Sequence, residues 1–175
     1  MGYKALYIWV EGDNDLRFFE NILKPLFEEK YDYVQIRKYK EKMKKEKIDN
    51  FLEGIKAMGA DYIFVGDINT YPCATAKKQG LKRIYKKIDE NRIVVVKKEI
   101  ESWYLAGLDK KSSKNLGVRY LNDTNKLIKE QFNSMMTRNF DSEIDFMTEI
   151  LKFFSTDIAK QKNESFKYFI EKYAC

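Results

Sequence analysis

The chain has 175 residues, of which 44% are hydrophobic and 15% aromatic, and this composition indicates one compact domain, or one core with an appended segment. It contains no histidine, which excludes imidazole acid–base catalysis and histidine-ligated zinc or iron. The 33 basic residues outnumber the 27 acidic ones, and the net charge of +6 makes a polyanion such as nucleic acid a candidate partner.

Strands and helices alternate along the first half of the sequence. Near-continuous apolar runs predict strands at residues 4–10, 33–36, 61–65 and 92–96. Helical spacing predicts helices at residues 13–29, 40–58 and 74–88. Because strands this apolar do not face water on one side, the alternation predicts an α/β fold with a four-stranded parallel sheet flanked by helices.

The second half of the sequence has the pattern of helices separated by polar loops. Apolar spacing predicts amphipathic helices within residues 124–135, 142–154 and 164–173. Since none of these helices buries its apolar face alone, we expect them to pack as an extension on the sheet. The predicted division is therefore an α/β domain at residues 1–107 and a C-terminal helical extension at residues 108–175.

Cysteine usage and the absence of a leader pattern predict a cytoplasmic location. Cys73 and Cys175 form neither a CxxC pair nor a disulfide framework, as is usual in a reducing compartment. The first predicted strand begins near the N-terminus without an apolar signal segment, and the apolar stretches are too short to span a bilayer. We expect neither export nor membrane contact.

Acidic residues follow three of the predicted strands. They are Glu11, then Asp67 with the neutral amide Asn69 close by, then Glu99 with Glu101. The carboxyl ends of parallel strands meet at one edge of a sheet, which is where ligands bind, so these positions predict one metal site. Asp67 and Asn69 are two residues apart and would face the same way in an extended segment. Without histidine the ligands are oxygens, which suit Mg²⁺ or Mn²⁺.

Each of these positions also has a simpler explanation. Glu11 fits a solvated turn, Asp67 and Asn69 fit a common Asp/Asn turn, and a glutamate in a first helical turn stabilises the helix dipole. Lys98 is placed to neutralise a phosphate, although a solvated lysine is more common. Trp103 is predicted to lie in the core.

Basic residues cluster in two stretches that predict charged helical surfaces. They are Arg37, Lys38, Lys40, Lys42, Lys44, Lys45 and Lys47, followed by Lys77, Lys78, Lys82, Arg83, Lys86 and Lys87. Tyr39, Tyr71 and Tyr85 are interleaved with these basic residues and are candidates for stacking on bases. Solvated stripes of this kind also occur in ordinary proteins.

The turn Val10-Glu11-Gly12-x-x-Asp15 and the later Asp67-x-Asn69 resemble the motifs of a Toprim domain, the metal-binding module of topoisomerases, primases and OLD-type nucleases. The segments 99–106 and 163–169 resemble those of small stand-alone Toprim-related proteins of prokaryotes, so the resemblance covers nearly the whole chain. It implies a Toprim-like (Rossmann-like) sheet in which Glu11 is an acid/base or metal ligand and Asp67 is the first aspartate of the DxD motif. Asn69 replaces the second aspartate, which weakens Mg²⁺ binding unless Glu99 or Glu101 compensates.

Two functional hypotheses follow. In the first, the protein is a Mg²⁺- or Mn²⁺-dependent nuclease of the Toprim/OLD kind, working in phage defence or DNA repair. Glu11, Asp67, Asn69 and Glu101 would hold the metal, Glu11 and Lys98 being the catalytic residues. In the second, it is a non-catalytic Toprim-fold module with a degenerate metal site, which binds nucleic acid, a protein partner or a second copy of itself. Nucleotidyl transfer ranks last because no nucleotide-binding or zinc element is recognisable, and a plain α/β domain with charged turns also stays open.

Overall fold

The predicted α/β class is confirmed by a computed structural model, which describes residues 2–40 and 43–174. Lys42 of the predicted basic surface and Cys175 lie outside these residues. The sheet consists of β1 (Ala5–Val10), β2 (Tyr33–Lys38), β3 (Asp61–Asp67) and β4 (Ile93–Val96). All its strands are parallel and their order is β2-β1-β3-β4, as in a Rossmann-like fold.

The chain forms two compact units, Met1–Val95 and Val96–Cys175. The boundary predicted after residue 107 falls inside the second unit. Within the described parts of the chain, no helix is both long and apolar enough to cross a bilayer.

Helices of the first unit follow the predicted pattern, with shifted ends. They are α1 (Asp13–Phe18), a π-helical segment (Phe19–Leu23), α2 (Lys24–Glu28), α3 (Lys45–Ala57) and α4 (Ala74–Ile84). The helix predicted from residue 40 begins only at Lys45, because Lys44 is extended at its N-cap. Lys40 is therefore not helical and lies in the segment that follows β2.

The core of the first unit lies where α3 packs on the sheet. Trp9 of β1 and Phe64 of β3 are register partners, and both are fully buried against Leu52 and Ile55 of α3. Burial of several large apolar side chains, each contributing about 2 kcal/mol, fixes α3 over the middle of the sheet.

The second unit is helical after the end of β4. It contains α5 (Glu101–Ala106), α6 (Lys110–Leu116), α7 (Lys129–Ser134), α8 (Glu143–Lys152), α9 (Thr156–Lys162), α10 (Glu164–Phe169) and a π-helical segment (Ile170–Ala174). Apolar spacing missed α6 and α9, which are short and polar. Both carry cap signals, since Asp109 and Ser155 accept hydrogen bonds from the third backbone N–H of the helix and Gly117 ends α6 at φ 69°.

Trp103 is buried at the centre of the second unit, as predicted. Its ring packs against Phe166 and Phe169, and its Nε1 donates a hydrogen bond to Ser165 Oγ at 2.9 Å. Asn163 caps α10 by accepting from Phe166 N at 3.0 Å. The two C-terminal segments that carry the family resemblance therefore pack against each other, and these contacts give them a structural role.

Candidate functional site

The carboxyl ends of β1 and β3 form the candidate site. The chain leaves β1 for β2 on one side and later returns to β3 on the other, so the order of the sheet reverses between β1 and β3. Ligands in open α/β sheets bind in the crevice at such a point. Glu11 directly follows β1 and Asp67 ends β3. The backbone N–H of Asp67 donates to Glu11 Oε1 at 3.2 Å, so these two predicted residues do meet.

Glu11 is a buried carboxylate held by two lysines. Its exposed fraction is 6%. Lys40 Nζ lies 2.7 Å from Oε2, and Lys77 Nζ lies 3.3 Å from Oε1. Burial by itself would raise the pKa of Glu11, but the hydrogen bond from Lys40 and the charge of Lys77 outweigh it and hold the pKa below its usual value. Glu11 is therefore ionised at neutral pH.

The two lysines differ in how firmly they are held. Lys77 lies in the first turn of α4 and is buried, with its ammonium group 5.4 Å from the centre of the Tyr71 ring. Lys40 follows β2, and 60% of its side chain is exposed. The hydrogen bond to Glu11 raises the pKa of Lys40, and the charges of Asp67 and Asp15 act in the same direction. The charges of three carboxylates thus act on the ammonium group of Lys40.

Gly66 leaves the space in which these groups meet. A Cβ at this position would lie 3.1 Å from Lys77 Cε, 3.2 Å from Tyr39 Oη and 3.3 Å from Glu11 Oε1. The Tyr39 hydroxyl donates to the Val65 carbonyl at 2.9 Å and closes the site from below. A glycine within a buried strand often marks such a close approach, so Gly66 is the sequence signal for this site.

No protein-family model matches the chain, and no curated protein or solved structure gives a significant match.

Asn69 is placed differently from the sequence-based expectation. β3 ends at Asp67, and Asn69 is an exposed residue with a left-handed backbone at φ 51°. Its Nδ2 donates to the Asp67 carbonyl at 3.2 Å, as in a local turn. The extended geometry assumed for Asp67 and Asn69 is wrong, because the chain turns directly after the strand. Ligation by Asn69 stays a prediction.

Glu99, Glu101 and Lys98 belong to the second unit. Glu101 is 4% exposed, and its Oε1 lies 3.9 Å from Lys129 Nζ. Glu99 Oε2 accepts from the backbone N–H of Lys129 at 2.5 Å, and Glu143 Oε1 lies 3.0 Å from Lys129 Nζ. Burial lowers the pKa of Lys129, but the three glutamates outweigh it and raise the pKa.

Lys98 is an exposed residue in the turn after β4, with φ at 70°. The roles predicted for Lys98 in catalysis and for Glu101 in metal binding stay predictions from the sequence.

Two of the three tyrosines proposed to stack on bases are core residues. Tyr39 and Tyr85 are buried beside Phe64, with ring centroids 4.2 Å and 5.2 Å from it. This part of the prediction is wrong, because interleaving with lysines in the sequence says nothing about which way a ring points. Tyr71 remains partly exposed beside Lys77.

The oxygen donors of Glu11 and Asp67 suit a hard divalent cation such as Mg²⁺ or Mn²⁺. In this structure the ammonium groups of Lys40 and Lys77 occupy the positions beside the Glu11 oxygens where a cation would bind. Within residues 2–40 and 43–174, no group of three or more His, Cys, Asp or Glu side chains is arranged to hold a metal. The donor chemistry fits Mg²⁺ on the condition that the exposed Lys40 side chain moves away from Oε2.

Proposed function

We propose that this protein is a divalent-metal-dependent phosphodiesterase that cleaves nucleic acid, with Glu11 and Asp67 holding the cation. The observation that carries the proposal is the buried Glu11 carboxylate, which contacts Asp67 N and two lysines at the point where the strand order reverses. Membership of the Toprim-related group, and the cytoplasmic location predicted from cysteine usage and the N-terminal sequence, are parts of the same proposal.

A bound Mg²⁺ ion would activate water and stabilise the leaving oxygen. The residues have separate tasks around it. Glu11 stays ionised and binds as a ligand, since its lowered pKa makes it a poor proton donor at neutral pH. Lys77 is buried and keeps the Glu11 side chain in place. Lys40 is exposed, so its ammonium group is free to move from Glu11 Oε2 to a phosphate oxygen of the substrate.

The test is cleavage of labelled single- and double-stranded DNA and RNA with Mg²⁺ or Mn²⁺. We expect cleavage by the wild type, and a loss of at least about 100-fold in Glu11→Gln and Asp67→Asn. Glu53→Gln is the matched control, because Glu53 is an exposed carboxylate on α3 that pairs with Lys87. Cleavage that survives in Glu11→Gln would come from another site or from a contaminant and would contradict the proposal.

A second candidate, a non-catalytic binding module, is favoured by one specific observation. Both oxygens of Glu11 are already neutralised by lysines, and the Asn69 amide is used in a turn. The charged groups around Glu11 would then stabilise the fold, and the basic surface would bind nucleic acid or a protein partner. Salt-sensitive binding without cleavage in either metal, together with unchanged binding in Glu11→Gln, would support this candidate.

A further inference from the structure

An open groove lies beside the edge strand of the first unit. β2 is at the edge of the sheet, and its alternate side chains Val34 and Ile36 are buried on one face. Tyr33, Gln35 and Arg37 lie on the opposite face, in register with the β1 side chains Ala5, Tyr7 and Trp9. Helix α3 packs over Trp9, and its Phe51 ring contacts Arg37, while Tyr33 at the start of β2 stays exposed. The resulting edge groove has a volume of about 560 Å³, and its lining includes Tyr7, Tyr33, Gln35, Arg37, Lys47 and Phe51 beside the apolar Ile55 and Met58.

The lining of the edge groove combines aromatic faces, cations and amides. The Tyr7 and Tyr33 rings meet edge to face at 6.0 Å, and the Tyr33 side chain is 40% exposed. The Arg37 guanidinium lies 4.8 Å from the centre of the Phe51 ring. Arg37 and Lys47 are the charged residues among the described lining residues, and Gln35 and Asn50 add hydrogen-bonding amides. A self-association surface or a peptide site would not need this excess of positive charge.

We infer that the edge groove binds single-stranded nucleic acid, with bases stacked on Tyr33 and its neighbours and phosphates paired with Arg37 and Lys47. This inference rests on the proposed function, whose substrate class it narrows. Aromatic side chains stack on bases of every sequence, but only where the bases are not already stacked and paired in a duplex. The positively charged lining supplies the complementary contact for the backbone.

The register of the sheet connects the edge groove with the candidate site. Arg37 pairs with Trp9, which is two residues before Glu11 along β1. At about 3.3 Å per residue, Arg37 therefore lies about 7 Å before Glu11 along the strand direction. The next residues after β2 lead to Lys40, which contacts Glu11. A single nucleic-acid strand that leaves the edge groove at its Lys40 end would therefore reach the carboxylates of Glu11 and Asp67.

The experiment is fluorescence anisotropy with a dye-labelled oligothymidylate of about 12 nucleotides and with a duplex of the same length. EDTA is present, so binding is measured without metal-dependent cleavage. We expect tighter binding of the single strand and a loss of about tenfold in Tyr33→Ala, with recovery in Tyr33→Phe because the ring is retained. Tyr3→Ala is the matched control, since Tyr3 is 74% exposed in the same unit and does not line the edge groove.

The salt dependence gives a second measurement. The double variant Arg37→Ala/Lys47→Ala is expected to reduce the slope of log K against log salt by about 1.4, from two lost phosphate contacts on a single strand. Circular dichroism checks that each variant is folded. Equal binding of duplex and single strand, or unchanged binding in Tyr33→Ala and in the double variant, would overturn the inference. So would a dimer in light scattering that Tyr33→Ala dissociates.

The outcome separates this inference from the proposed function. If groove variants lose single-strand binding but no preparation cleaves nucleic acid, the edge groove stands and the proposed hydrolysis fails. If cleavage requires Glu11 but neither cleavage nor binding changes in Tyr33→Ala, hydrolysis stands and the edge groove fails.

Discussion

Lys77 in the first unit and Lys162 in the second are buried to the same extent but have different partners. Each has an exposed fraction of 5%. Lys77 forms an ion pair with Glu11. Lys162 donates a hydrogen bond to the Leu108 carbonyl and lies 4.2 Å from the centre of the Tyr120 ring. One buried cation therefore has a full negative charge beside it, and the other has a dipole and an aromatic face.

Because the partners differ, the side chain whose pKa is shifted is the lysine in the second unit and the carboxylate in the first. Burial lowers the pKa of Lys162 to about 8, and the charge of Asp109 offsets this only in part. In the first unit it is the carboxylate partner, Glu11, whose pKa is lowered. The lysine thus keeps the buried Glu11 carboxylate ionised, as a metal ligand must be. The environment of Lys162 instead makes loss of its proton easier, and the ammonium form still predominates at neutral pH.

The largest effect is expected from removing the buried cation of the first unit. Lys77→Met leaves the Glu11 carboxylate buried with Lys40 and one backbone N–H as partners, and should lower the free energy of unfolding by about 3 kcal/mol. Urea unfolding at neutral pH measures the loss. The double variant Lys77→Met/Glu11→Gln should recover much of it, because both charges of the buried ion pair are then removed. A loss below about 1 kcal/mol would mean that Lys40 alone balances Glu11.

Lys162→Met should change how stability depends on pH. The pKa of Lys162 is about 8 in the folded protein, against 10.5 for an ordinary lysine. Between these values the unfolded chain binds a proton that the folded chain does not, so wild-type stability should rise with pH.

Urea unfolding of the two proteins from about pH 7 to pH 10 should show a gain of about 2 kcal/mol for the wild type relative to Lys162→Met. Lys160→Met is the control, because Lys160 is partly exposed and paired with Asp157, and its pH profile should follow that of the wild type. If wild type and Lys162→Met stay parallel across the whole range, Lys162 is solvated more than its burial suggests.

A methyl group at Gly66 should disturb the cluster around Glu11 without removing a charge. Gly66→Ala places Cβ against Lys77, Tyr39 and Glu11 at distances that require a shift of a few tenths of an ångström. We expect a loss of about 1.5 kcal/mol in thermal or urea unfolding. Gly54→Ala on α3 is the opposite control, since its Cβ meets nothing within 4 Å and should gain about 0.5 kcal/mol. Equal changes in both variants would show that the close approach at Gly66 is unimportant.

The smallest effect is expected at the exposed lysine of the same cluster. Lys40→Met removes an ion pair whose cationic side chain is 60% exposed, so the loss of stability should stay below about 1 kcal/mol. The same unfolding measurement tests it. A loss as large as that of Lys77→Met would mean that Lys40 is fixed in place, which would argue against its movement toward a substrate.

Strands and their order of appearance were predictable because their apolar runs are near-continuous and bounded by turn residues. The strands β1, β2, β3 and β4 all lie within two residues of their predicted ends. The short polar helices α6 and α9 were missed, since their formation depends on caps and on packing by few apolar side chains. The predicted start of α3 was too early, because the residues before the true N-cap are also charged and have good helix propensity.

The sequence by itself determined the carboxylates at the strand ends, the absence of histidine and the parallel sheet that brings Glu11 to Asp67. Only the tertiary structure decided that Lys40 and Lys77 meet Glu11, that Asn69 turns away, and that Tyr39 is buried while Tyr33 is open. Local periodicity encodes which residues are apolar and where a strand ends. The partners of a buried charge come from segments far apart in the chain, and their convergence depends on how the whole unit packs.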